Sequence, residues 1–435
     1  MQVSVESTGE LGRRLKVEVP AGRIDDQVER RIKEMGRQVK LKGFRPGKVP
    51  MHVLKQRFGK QVREEVINDV LRESFQEAVS QEKLRPAGTP EITAQGRKPG
   101  EKLAYTANFE IYPELEDLRV GDLEIDRPEV TVGDADVDAM IDTLRRQRRE
   151  WEQVERGARE GDLVVIHYYA EADGTRHPAE GTERAGTVLG SSALFADLER
   201  ALEGAAKDDE ETVDMQFPAD FRDPALAGKS GQVYFKVISV SEGRMPEVDE
   251  EFVRSFGVKS GDVEEFRAEV KHNLDRELQQ AVIERLRLQV VDGLVKLHSG
   301  VTIPESLVAE EAENLRRQQT GGEPEGGAPA QAFMDKARRR VTAGFLLSEV
   351  ARQNGIQPDS ARVRDKIAEI AATYEQPEQV VEAYRSDPRL LESVRNMVLE
   401  EQVVEWVVEH ASVNDKPMSF DELMRPTEQQ QEAKA

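Results

Sequence analysis

The sequence predicts a multidomain α+β protein in three folded parts: a small α+β domain, an antiparallel β domain, and an all-α carboxyl-terminal domain whose helices form arms. Three observations lead there. At 435 residues the chain exceeds one ordinary core, and about three domains fit that length. Hydrophobic periodicity changes along the chain from mixed, to strand-like, to helical. Charged residues make up 34% against 38% hydrophobic ones, the wetted surface expected of long amphipathic helices.

Residues 1–113 form the first part. Val3 to Val5 and Leu15 to Val19 alternate apolar and polar, with Gly9 and Gly12 marking a turn between two strands. Ile24, Val28, Ile32, Met35 and Val39 then recur at spacings of three and four, one face of a helix ending by Gly43. Pro50 suits the start of a second helix, whose stripe is Leu54, Phe58, Val62, Val66 and Val70. Alternation returns from Leu103 to Ile111.

Residues 114–150 read as a connector, with an extended piece around Leu123 to Val132 and a helix opening at Asp134, Asp136 and Asp138. The three aspartates imitate a calcium loop, but Ala139 and Arg145 stand where that loop needs glycine and glutamate. Carboxylates stabilised at a helix N-terminus account for them better. Residues 151–246 carry the β domain, with strands expected at Leu163 to Tyr169, Thr212 to Phe217 and Val233 to Val240. Residues 247–426 are helical: a stripe runs from Val263 to Leu294, Pro304 opens another helix, and further helices cover 331–355, 360–374, 377–385 and 388–412. Gln319 to Pro329 is a Gly- and Pro-rich loop, and 427–435 is a polar, disordered tail.

Composition narrows the function. The absence of cysteine excludes disulfides, thiolate nucleophiles and cysteine zinc sites and fits a reducing cytoplasm. No basic start followed by an apolar run marks a signal peptide, and no stretch is apolar enough to span a bilayer. There is no phosphate-cradling loop, nucleophile elbow or histidine pair at metal-ligand spacing, so neither cofactor nor metal is expected. The net charge is −22, yet Arg30 to Arg63 holds twelve basic residues against Glu34 alone, an island of about +11. Such asymmetry points to an anionic partner for one local surface, against the plainer reading of a solvated charged face.

In the middle of that island stands Gly43-Phe44-Arg45-Pro46-Gly47-Lys48-Val49-Pro50, between the two helices. Two glycines and a proline stiffen and sharpen this tip; Phe44 offers apolar area, and Arg45 and Lys48 can engage phosphate or carboxylate oxygens. The octapeptide resembles the ribosome-docking signature of the trigger factor family. Supporting stretches are Arg338-Arg339-Arg340-Val341 leading into Leu346-Leu347, and Asn396 to Gln402. The resemblance extends over nearly the whole chain. It implies a ribosome-docking first domain, an FKBP-like peptidyl-prolyl isomerase domain at 151–246 and a helical chaperone domain with arms. The implied partners are the large ribosomal subunit, through protein and RNA near the exit tunnel, and nascent or unfolded polypeptides, with a homodimer off the ribosome and no membrane.

The isomerase chemistry so implied needs no acid, base or nucleophile, only an apolar pocket that favours the twisted amide. Here the chain departs from the family pattern. His177-Pro178-Ala179 replaces an aromatic, acid and glycine; Ala185 replaces another aromatic; Phe195-Ala196-Asp197-Leu198 replaces an apolar residue, proline, glycine and phenylalanine. Phe217, Pro218 and Phe221 match, as do Gly174, Gly190, Gly204 and Gly228. The expectation is a retained domain with weak or lost activity. Leu194, Phe195, Leu198, Phe217 and Phe221 are either its pocket wall or ordinary core. Met334, Phe345, Tyr374, Tyr384, Met397 and Trp406 are similarly open between a client surface and helix packing.

Overall fold

The computed structural model describes residues 1–39, 41, 44, 49–96, 98–191, 193–218, 221, 226–319, 329–374 and 376–425. The chain divides into two compact units, one of Met1–Arg127 with Ile283–Lys416 and one of Pro128–Val282 with Pro417–Ala435.

The amino-terminal part of the first unit contains β1 (Gln2–Ser7), β2 (Gly12–Val19), α1 (Ala21–Gln38), α2 (Met51–Gln81), β3 (Pro86–Gln95) and β4 (Leu103–Ile111). The strands form one antiparallel sheet in the order β1-β2-β4-β3. Period-two alternation puts Leu15, Val17 and Val19 of β2 and Leu103, Tyr105 and Ala107 of β4 on one face. That face packs against Ile24 and Ile32 of α1 and Val62, Val66 and Val70 of α2. Tyr105 keeps its hydroxyl satisfied inside this core by a 3.0 Å hydrogen bond with Ser74. Strand β3, mostly proline, glycine and polar residues, escapes the sequence reading because its place is fixed by pairing with β4 rather than by apolar alternation.

Next come β5 (Glu124–Glu129), α3 (Asp134–Gln147), β6 (Glu150–Val154), β7 (Leu163–Ala172), β8 (Thr175–His177), β9 (Glu183–Val188), α4 (Ala196–Leu202), β10 (Glu210–Gln216), β11 (Ser230–Arg244), α5 (Glu250–Ser255) and α6 (Val263–Leu297). Helix α6 is shared between the units. In the second unit β6 to β11 make a six-stranded antiparallel sheet, with β10-β11-β7-β8 in line, β6 beside β11 and β9 beside β7. Val164, Ile166, Val233, Phe235 and Val237 bury its inner face with Leu198 and Leu202 of α4. A separate cluster joins Val137 and Ile141 of α3 to Phe252, Val253, Phe266, Val270 and Leu274 of α5 and α6. The aspartates at the start of α3 act as helix-end groups: Asp136 accepts the Gly133 N–H at 2.8 Å, and Asp138 pairs with Arg267 at 2.6 Å.

The remaining elements are α7 (Glu305–Gln319), α8 (Met334–Asn354), α9 (Ser360–Ala371), α10 (Pro377–Ser386), α11 (Pro388–His410), β12 (Ser412–Pro417) and α12 (Phe420–Met424). In the first unit Val290 and Leu294 of α6, Val308 of α7, Leu346 and Val350 of α8 and Val403 and Val407 of α11 form one core. Val363, Ile367, Val394 and Val398 form a smaller one between α9 and α11. The carboxyl-terminal domain is not purely helical. Strand β12 pairs with β5, with the Ser412 N–H donating to the Leu123 carbonyl at 2.9 Å, and Arg127–Asp415 and Lys416–Asp126 ion pairs flank the joint.

The amino-terminal sheet and this helical core are joined by polar contacts that span most of the chain. Arg85, just before β3, reaches Glu349 of α8 at 2.8 Å. The Glu110 carboxylate of β4 accepts from the Ser306 N–H at 2.9 Å, serving the free donors at the start of α7. Glu349 is fully buried and also takes Arg352 and Gln353. Burial pushes its carboxyl up, and the donors from Arg352, Arg85 and Gln353 outweigh that, leaving it lowered to about 2. Tyr112 stacks on Phe345 at 5.7 Å beside this pair.

Candidate functional site

Two places in the chain carry the residues singled out above. The first is the loop end of the α1–α2 hairpin. Gly43, Arg45, Pro46, Gly47 and Lys48 lie outside the described residues. Phe44, Val49 and Pro50 are described. Phe44 is 39% exposed, with its N–H donating to the Leu41 carbonyl at 3.1 Å. Pro50 is the N-cap of α2 in extended conformation. The hairpin is held from inside by the apolar stripes of both helices, which leaves its cations outward. Arg30, Arg31, Lys33, Arg37, Arg57 and Lys60 are exposed, and no ion pair holds any of them among the described residues. Arg63 differs, since it is buried against Asp25 at 2.6 Å and the Lys98 carbonyl.

The second is a cavity of about 950 Å³ in the β domain, between the inner face of β7, β9, β10 and β11 and the start of α4. It brings together Leu194, Phe195, Leu198, Phe217 and Phe221, all five of which line it. Phe195 meets Phe217 edge to face with centroids 6.1 Å apart, and Phe221 lies 5.7 Å from Phe195 and 5.1 Å from Phe217. Leu198 and Phe217 are also buried members of the domain core, so core and wall coincide at these positions. His177, Pro178 and Ala185, the positions of departure, stand on the same wall.

Sequence reasoning missed Tyr168 and Glu183, which also line the cavity. Tyr168 donates its hydroxyl to Glu183 Oε2 at 2.8 Å. The two are directly opposed across the β7–β9 pairing, fifteen residues apart in sequence. Burial, the hydrogen bond to Glu183 and the nearby negative charge push the Tyr168 phenol up to about 12. The wall therefore offers neutral, mostly apolar contacts, with one carboxylate at Glu183 and neither lysine nor arginine among its described residues. Such a cavity can receive an apolar side chain or a proline ring; its chemistry is shape and desolvation.

Of the six helical residues left open between client surface and packing, Phe345 is interior: it is 5% exposed and stacks on Tyr112. Met334, Trp406 and Tyr384 are half-buried against the two helical cores. Tyr374 and Met397 are exposed at 57% and 45%. Among the described residues no group of three or more histidine, aspartate and glutamate side chains could hold a metal ion.

A family model for the bacterial trigger factor protein matches residues 1–144. A second, for the carboxyl-terminal part of the same protein, matches residues 262–409. The trigger factor of Xanthomonas campestris pv. campestris is 45% identical over 433 residues, covering 98% of this chain and 100% of its own. That of Stenotrophomonas maltophilia is 44% identical over the same length and coverage. A solved structure from work on substrate recognition by the trigger factor chaperone covers 94% of this chain and 99% of its own, at 18% identity and a TM-score of 0.41. With family models matched in both its amino- and carboxyl-terminal parts and a relative matched along its whole length, the chain belongs to the trigger factor family.

Proposed function

We propose that the chain is a ribosome-associated chaperone that docks beside the peptide exit tunnel of the large subunit. There it holds nascent and unfolded polypeptides open for folding and export in the cytoplasm. The observation that carries this reading is the α1–α2 hairpin: a set of outward cations without carboxylate partners, ending in an exposed Phe44, on a chain of net charge −22. An acidic protein that keeps a group of unpaired cations on one hairpin is oriented by them as it approaches ribosomal RNA. Residues 43–50 form the docking tip, with Phe44 burying apolar area on ribosomal protein and Arg45 and Lys48 meeting anionic oxygens. Clients lie on the helical domain, 247–426, where Tyr374, Leu390 and Met397 are exposed. Off the ribosome the same apolar positions supply a homodimer contact. No helix among the described residues is long and apolar enough to cross a membrane.

The β domain, 151–246, is an accessory prolyl isomerase of low activity, its cavity walled by Leu194, Phe195, Leu198, Phe217 and Phe221. Isomerisation as the main function is the weaker reading, because His177 and Ala185 stand on the wall where the family pattern has aromatic rings.

Co-sedimentation with ribosomes across a salt series tests the docking. The wild type is expected to pellet at low salt and to be released as salt rises, while a Phe44, Arg45 and Lys48 triple alanine variant stays in solution. Wild-type protein that remains in the supernatant at low salt overturns the reading.

A further inference from the structure

In the second unit, where α3 ends and β6 begins, four of the five residues from Arg145 to Arg149 are arginine. Arg145 serves the fold, pairing with Asp142 at 3.0 Å and donating to the Pro246 carbonyl at 2.9 Å. The negative end of the helix dipole accounts for it and for Arg146 in the last turn. Arg148 and Arg149 are held instead by rings: Arg148 lies over Phe256 at 5.2 Å and Arg149 over Trp151 at 5.3 Å. Among the described residues no carboxylate is within ion-pair distance of Arg146, Arg148 or Arg149. Glu150, the acid of this run, stands opposite Arg244 of β11, and alternation puts that pair on the other face of β6 from Trp151.

Arg149 is built into the sheet. Trp151 stands directly opposite Gly243 of β11, and a Cβ at Gly243 would collide with Cδ of Arg149. The absent side chain makes a slot for the arginine stem, whose Nε is buried, while one terminal nitrogen reaches the Gly161 carbonyl at 3.4 Å. A guanidinium seated on a ring keeps its charge and its outer donors, and it has already lost much of the freedom that binding would otherwise cost. Trp151 is 37% exposed, and Arg146 and Arg148 are exposed beside it. From this arrangement we infer that the α3–β6 corner binds unpaired RNA, with Arg146, Arg148 and Arg149 on phosphates and Trp151 against a base. The open indole decides between polyanions: a base stacks on it, whereas an acidic peptide offers only carboxylates to the arginines. A duplex keeps its bases stacked inside and leaves the indole unused. Only the source of the RNA, a loop of the ribosome, rests on the docking reading above.

The test uses full-length protein carrying Arg30→Ala, Lys33→Ala and Arg37→Ala, which reduces the share of the α1–α2 hairpin. It is titrated against a dye-labelled RNA decamer of mixed sequence, followed by anisotropy and by tryptophan emission. The decamer is expected to bind more tightly than the corresponding RNA duplex and to quench the emission. Alanine at Arg146, Arg148 and Arg149 together should weaken binding about tenfold and lower the log–log salt slope by about 2, at roughly 0.7 per phosphate of a single strand. Trp151→Leu should abolish the quenching and weaken binding about tenfold, the scale of one stacked base. Gly243→Ala changes no charge, yet by displacing Arg149 it should weaken binding about threefold through lost preorganisation. Arg184→Ala, which removes an exposed arginine of β9 in the same domain, should leave binding unchanged. Equal losses in Arg184→Ala and in the arginine triple variant, full binding in Gly243→Ala, or quenching that survives Trp151→Leu each overturn the assignment. So does displacement of the decamer by a hexaglutamate peptide. Wild-type protein that fails to pellet with ribosomes removes the ribosome as the source of the RNA, and decamer binding then stands or falls by itself.

Discussion

The α1–α2 hairpin and the α7–α8 pair are both helical hairpins rich in arginine; the first pairs Arg23 and Arg63 with carboxylates and leaves its other cations but Lys55 outward, and the second pairs its arginines throughout. On α1 and α2, Arg30, Arg31, Lys33, Arg37, Arg57 and Lys60 face solvent without a carboxylate. On α7 and α8, Arg316 pairs with Glu313, Arg338 with Glu305, Arg340 with Glu311 and Arg352 with Glu349. A guanidinium already satisfied by a neighbouring carboxylate contributes to the fold and is little drawn to a distant polyanion. An unsatisfied one gives little to the fold and much to association. Charge number alone therefore does not set the proposed docking surface apart; the missing counter-charges do.

The comparison can be broken from the α8 side first. Phe345→Ala should cost about 3–5 kcal/mol in urea unfolding, because it removes a buried ring that stacks on Tyr112. Were Phe345 instead a client contact, stability would be unchanged and client holding would fall. Glu349→Gln should cost about 3 kcal/mol, since it leaves Arg85 and Arg352 without their shared buried carboxylate. The same group sets an acid limit. Its folded pKa is lowered, so its contribution is fully present above the ordinary carboxyl value and is lost as pH falls from there toward about 2. Unfolding midpoints measured from pH 7 to pH 3 should decline less steeply in Glu349→Gln than in wild type.

A smaller effect is expected at Glu110→Ala, about 1 kcal/mol, for loss of the acceptor at the start of α7. At the far end of the scale, replacing Arg30, Lys33 and Arg37 together by alanine should shift stability by less than about 0.5 kcal/mol. Ribosome pelleting of that variant should weaken and depend less steeply on salt. A loss of stability there comparable to that at Glu349 would erase the distinction between the two hairpins.

Much of this was legible from periodicity. The stripes of α1 and α2 appear in the sequence because each buries one face, that of α6 because Phe266 to Leu278 enter one core and Val290 and Leu294 another, with Ile283 exposed between, and the strands of the β domain because their inner residues alternate. What escaped has a common cause. Strand β12 reads Ser-Val-Asn-Asp-Lys-Pro and is held by backbone bonds to β5 and by ion pairs, so it shows no apolar pattern. Phe345 resembles Met397 in sequence, and its place in the helical core beside the distant Tyr112 makes it interior. At the cavity the five apolar wall residues were within reach of the family resemblance. The Tyr168–Glu183 pair was not, since it exists only through the register of β7 with β9.

The bond between Arg85 and Glu349 joins residues 264 positions apart. At translation rates of roughly 5–20 residues per second, tens of seconds pass between the synthesis of the two partners. Through that interval the amino-terminal sheet and its two helices must stand on their own core, with one edge facing water. The first unit of a protein assigned to guard unfinished chains is thus itself closed only after the whole β domain has been made, when α7, α8 and α11 emerge to complete what was begun first.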